Sequence, residues 1–168
     1  MIKRKIVTLF VIILAFIFQT TVFRTFELAD VVPNLLLVVT VSYAYLRGRT
    51  SGILIGFFCG LMLDMMYGSV MGLYAFIFMS VGFLIGFCQK IYFRETLFLP
   101  AVLIAASDLV YGLFYYITEF LMRGRLHFGF YFLYRILPEM VYTAVVGILL
   151  FRILVSVERL LTAERKEA

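Results

Sequence analysis

The chain carries few residues able to do chemistry, and those few are spaced by helical periods. Asp108 and Glu119 stand 11 residues apart, three turns of an α-helix, and so return to nearly the same face. Ser107, Tyr111 and Tyr115 fall on or beside that face. Such a stripe of carboxylates and hydroxyls suits three tasks: holding a proton, binding a ligand, or hydrogen-bonding a neighbouring helix or a partner's polar residue. Arg135 and Glu139, spaced i and i+4 around Pro138, suit an intrahelical ion pair, with Asp64 and Glu119 as the alternative partners of Arg135. A third group is built on glycine. Gly52, Gly56, Gly60, Asp64, Gly68 and Gly72 recur at every fourth residue, and Gly82 and Gly86 repeat the interval further on. Glycines so spaced make a flat stripe that another helix backbone can approach closely, for packing inside one molecule or for docking another membrane protein. Asp64, in register with them, either bonds nearby amides or a tyrosine hydroxyl or carries a proton.

These groups do not add up to an enzyme. No GxSxG, HExxH, phosphate-binding loop or dinucleotide fingerprint occurs. The single histidine, His127, falls in a loop, and no CxxC is present. Cys59 and Cys88 read as free thiols packed as small apolar groups. The expectation is no catalytic residue, no cofactor and no metal.

The elements that position these residues are membrane spans. Hydrophobic residues make up 64% of the 168, and charged residues 15%, against about 25% in soluble proteins. Apolar runs near the length of a transmembrane helix recur along the chain, with none of the short-period alternation of a β-barrel. Six runs are expected to span: Ile6 to Phe23, Pro33 to Leu46 (with Pro33 in its first turn, or a start near Phe26), Ser51 to Tyr67, Val70 to Cys88, Leu97 to Met122, and Tyr134 to Val157. The first lacks a small-residue cleavage site and reads as a retained span. The predicted architecture is all-α, a single integral-membrane domain over residues 1–168 with six helices in a compact bundle. Asp64 then lies near the outer end of the third span, with Gly68 as a cap. Asp108 lies about 16 Å into the fifth, near the bilayer centre.

Charge sets the expected orientation. With the N-terminus inside, Lys3, Arg4, Lys5, Arg47, Arg49, Lys90, Arg94, Arg152, Arg159, Arg165 and Lys166 lie inside, which is 11 of the 15 basic residues. Arg24, Arg123, Arg125 and Arg135 remain outside. Both termini are therefore expected in the cytoplasm. The net charge of +5 sits at segment ends, where orientation and lipid headgroups account for it better than nucleic acid does. Tyr43, Tyr45, Tyr67, Tyr92, Tyr131 and Tyr134 form the interfacial belt of a chain without tryptophan.

The order of features resembles a known family. A basic start and one span lead to Pro33-Asn34-Leu35-Leu36-Leu37 and Arg47-Gly48-Arg49. Gly52-x3-Gly56-x3-Gly60-Leu61-x2-Asp64 and Gly68-x3-Gly72-Leu73 follow. This pattern is similar to the MreD family of bacterial rod-shape-determining membrane proteins, most specifically from Pro33 to Leu73; Asn34 stands where many members carry Asp. The resemblance implies a non-enzymatic scaffold or regulatory subunit of the cell-elongation (elongasome) machinery in the bacterial inner membrane, regulating peptidoglycan synthesis. It implies MreC as the main partner, with RodA, a class B penicillin-binding protein and MreB met directly or indirectly. It also implies a fold like the substrate-binding subunits of energy-coupling-factor transporters. The alternative function is then a small-molecule or lipid-binding subunit of a transporter.

Overall fold

The computed structural model describes residues 2–22, 32–67, 71–91, 98–117 and 128–167. Every regular element among them is helical. We number them α1 (Ile2–Ile17, continued by a π-helical turn Phe18–Val22), α2 (Leu35–Arg47), α3 (Arg49–Tyr67), α4 (Leu73–Phe87, continued by a 3-10 turn Cys88–Ile91), α5 (Phe98–Tyr116) and α6 (Leu137–Glu167). A helical turn, Phe128–Tyr131, and a π-helical stretch, Phe132–Ile136, lead into α6 without a break. There the Leu137 amide bonds the Phe132 carbonyl, a wider turn just ahead of Pro138, which has no amide hydrogen to give. The sixth helix thus begins before the expected Tyr134 and runs past Val157.

Five of these helices are long and apolar enough to cross a membrane; α2 is not. At 13 residues it extends about 20 Å, short of the roughly 30 Å hydrocarbon core. The expected second span is thus a short apolar helix, and the reason is physical. All residues from Leu35 to Tyr45 are buried, and α2 touches each of the other five helices. A helix that is apolar all round belongs inside a bundle, and one enclosed by protein need not reach water at both ends.

The start of α2 shows how this is possible. Pro33 is not in its first turn: Asn34 caps the helix. The Leu35 amide bonds the Pro33 carbonyl, Leu36 N–H donates to Gln19 Oε1 at 3.0 Å, Leu37 N–H to Asn34 Oδ1 at 3.2 Å, and Val38 N–H to the Asn34 carbonyl. With Asn34 N–H donating to Thr143 Oγ1 at 3.2 Å, the four amides that lack an acceptor within the helix, those of residues 34 to 37, are all satisfied by the chain itself. Inside α2, the Thr40 and Ser42 hydroxyls donate back to the Leu36 and Val38 carbonyls. The helix closes on Gly48, whose φ of +91° suits glycine and lets the chain turn straight into α3.

Candidate functional site

The glycine ladder faces α4. A Cβ on Gly52 would strike the Gly82 carbonyl and Ala44 Cβ; on Gly56, the Phe78 carbonyl; on Gly60, the Tyr74 carbonyl and Ala75 Cα. From the other side, Gly82 meets the Gly52 backbone and Gly86 meets that of Arg49. The two helices run antiparallel with backbone against backbone, and this is the most extensive helix contact among the described residues.

Asp64 ends the ladder because its partner is a helix terminus. Its Oδ1 accepts from Tyr74 N–H at 3.0 Å and its Oδ2 from Ala75 N–H at 2.9 Å. These are amides of the first turn of α4, where Gly72 supplies no side-chain cap. A carboxylate from the preceding helix does that work, favoured by the partial positive charge of the terminus. Gly72 itself takes φ of +93°, and open space surrounds the position where its Cβ would be, so conformation alone requires glycine. Gly68 lies outside the described residues.

The polar stripe is assembled from several helices. Asp108 on α5 is 2% exposed. One side of its carboxyl meets the Thr143 hydroxyl of α6, and Thr143 Oγ1 in turn accepts from Asn34 N–H at 3.2 Å. The other oxygen, Oδ1, is buried and has no hydrogen-bond partner. Glu139 on α6 lies within electrostatic range of both Asp108 and Arg135. Tyr111 is placed among Asp108, Glu139, Tyr74 and Tyr115. The rings of Tyr74, Tyr111 and Tyr115 pack with centroids 5.9 to 6.4 Å apart. Gly112, one turn after Asp108, sits against Ile136 and brings the start of the last helical run close to α5. Arg135 is exposed, next to Tyr131. The alternative of an Arg135–Asp64 pair gives way to the amides that Asp64 accepts. Glu119 and His127 lie outside the described residues. Among the described residues, no three His, Cys, Asp or Glu side chains converge as a metal would require.

A third cluster went unanticipated. At the opposite end of the bundle, Glu158 of α6 receives Arg47 Nε at 3.1 and 3.2 Å and Arg47 Nη2 at 2.6 Å. It also pairs with Arg4 of α1. Arg47 Nη1 donates to Thr8 Oγ1 at 2.7 Å, and its guanidinium lies 4.3 Å over the Tyr43 ring. The signal in the sequence was an acid, Glu158, placed next to Arg159 within an otherwise apolar stretch.

The whole pattern matches one family model, described as the rod shape-determining protein MreD, over residues 2–160. The chain belongs to the MreD family. The match covers nearly the full length, including the helices beyond the Pro33 to Leu73 stretch that carries the most specific likeness. MreD proteins act in rod-shape determination, and the apolar helices make this one a membrane protein. No curated protein and no solved structure gives a match.

Proposed function

We propose that this MreD-family chain is a non-enzymatic scaffold and regulatory subunit of the machinery that elongates the bacterial wall. It lies in the cytoplasmic membrane with both termini in the cytoplasm. It binds MreC and links it, directly or through others, to RodA, a class B penicillin-binding protein and MreB. The observation that carries this reading is the aromatic, apolar exterior. Phe10 on α1, Phe58 on α3, and Phe76 and Phe83 on α4 are exposed. A partner's transmembrane helix meets these outward faces, since the glycine stripe of α3 is already covered by α4. The proposed orientation is supported by Lys3, Arg4, Lys5, Arg47, Arg49, Lys90, Arg152 and Arg159, which collect at the end where α1 begins and α6 closes.

The test is site-specific photo-crosslinking. A photoreactive phenylalanine replaces Phe10, Phe58, Phe76 or Phe83 in cells that also produce MreC. A crosslink to MreC from at least one site, together with co-purification of MreC by the wild-type chain, is the expected result. Wild-type protein that purifies without MreC and crosslinks only to lipid would sink the scaffold reading.

A second reading is a small-molecule or lipid-binding membrane subunit of a transporter, with a bundle like the substrate-binding subunits of energy-coupling-factor transporters. One observation favours it: the unpartnered, buried oxygen of Asp108.

A further inference from the structure

A carboxyl oxygen enclosed in a membrane helix bundle with nothing to bond is an expensive arrangement. Its surroundings say what is missing. Two carboxyl groups, Asp108 and Glu139, lie within electrostatic range of one another. One formal positive charge, Arg135, is near Glu139, and it is exposed. The other groups near Asp108 and Glu139 are Tyr111 and Tyr115 on α5, Tyr74 on α4 and Tyr131 on the lead-in to α6. The neighbours from α2 and α6, Asn34 and Thr143, do not titrate. The cluster is short of one positive charge. Asp108, Ser107 and Thr143 are all buried, Asp108 to 2% exposure, so no bulky organic cation reaches Asp108 Oδ1.

We propose that Asp108 binds a single small monocation, a sodium ion or a proton, at its unpartnered Oδ1 between α2, α5 and α6, with the Thr143 hydroxyl holding the other side of the carboxyl. Carboxylate and hydroxyl oxygens are the hard donors that a sodium ion takes. A proton would instead sit on Oδ1 and convert the acceptor into a donor. Either occupant makes up the missing charge. The site stands independently of MreC binding and of any transported substrate, since it is defined by groups within this chain.

The experiment uses the purified full-length protein in phosphatidylcholine nanodiscs. Thermal unfolding is followed in sodium chloride against choline chloride at constant ionic strength, each at acid and alkaline pH. A sodium site raises the unfolding temperature in sodium chloride at alkaline pH. A proton site raises it on acidification whatever the salt. Asp108→Asn, uncharged and of the same shape, removes the response in either case. Glu139→Gln keeps the Asp108 response but shifts its midpoint. Wild-type unfolding that responds to neither sodium nor pH overturns the proposal, as does a full response in Asp108→Asn. Should Asp108→Asn fail to fold, the infrared spectrum of wild type labelled with 13C-aspartate decides. A protonated-acid band marks the proton and a sodium-sensitive carboxylate band marks sodium. A carboxylate signal that neither condition moves overturns the site.

Discussion

Arg47 grips Glu158 through Nε and Nη2, one edge of its guanidinium, although 111 residues separate the two. Arg47 ends the buried hub helix α2, and Glu158 lies near the end of the longest helix, α6. Arg4 reaches the same carboxylate from the first helix. One acid therefore joins the beginning, the centre and the last helix of the fold. The side chains of Arg47 and Glu158 are only 10% and 11% exposed, while that of Arg4 is 42% exposed.

The two buried members should behave as a unit. Arg47→Met leaves Glu158 only the solvent-screened Arg4, and Glu158→Leu leaves the buried Arg47 without its acid; the latter should cost about 3–5 kcal/mol and the former less. Made together they should cost far less than the sum. Arg4→Gln should cost under about 1 kcal/mol, because water already screens it. Thermal unfolding of the four members of the Arg47/Glu158 cycle in detergent gives the coupling energy; additive losses would show that the pair is not a unit.

The seam between α3 and α4 admits no side chain. Gly56→Leu should abolish a monodisperse bundle on gel filtration, since the Phe78 carbonyl occupies the space its Cβ needs. Loss of a partner in that variant would therefore report collapse of the bundle rather than loss of a docking surface. A folded, monodisperse Gly56→Leu protein with the wild-type unfolding temperature would refute the backbone-to-backbone seam.

At the far end of the same seam, Asp64 and Gly72 act on α4 by different means. Asp64→Asn keeps one acceptor and loses the charge, and should cost about 1–2 kcal/mol. Gly72→Ala meets no steric clash and should cost about 1–2 kcal/mol through its left-handed backbone alone. Hydrogen exchange separates them: Asp64→Asn should speed exchange at the Tyr74 and Ala75 amides specifically. Unchanged protection there would contradict the cap.

The start of α2 offers a similar contrast. Asn34→Ala orphans the Leu37 amide, and Gln19→Leu orphans that of Leu36; each should cost about 1–3 kcal/mol because no water replaces the lost acceptor. Exchange at those two amides, measured in detergent, should rise selectively in the matching variant. Equal protection in both variants would mean that other acceptors take over.

The linear chain by itself determined that the protein is helical and membrane-embedded, and that residues Gly52 to Gly60 form one packing stripe. Those properties follow from composition and the 3.6-residue period, which act locally. It also brought Asp108, Tyr111 and Tyr115 to one face, since a helix fixes residues three and seven positions apart. Only tertiary structure decided the rest. Nothing in residues 33–46 says that α2 is the hub, because a buried helix and a lipid-facing helix are both apolar. Asp64 could not be assigned to the amides of Tyr74 and Ala75 before the fold of α3 onto α4 was known. Glu158 and Arg47, Asn34 and Thr143, and Asp108 and Glu139 are pairs joined across long stretches of chain, and pattern within one helix carries no information about which other helix will face it.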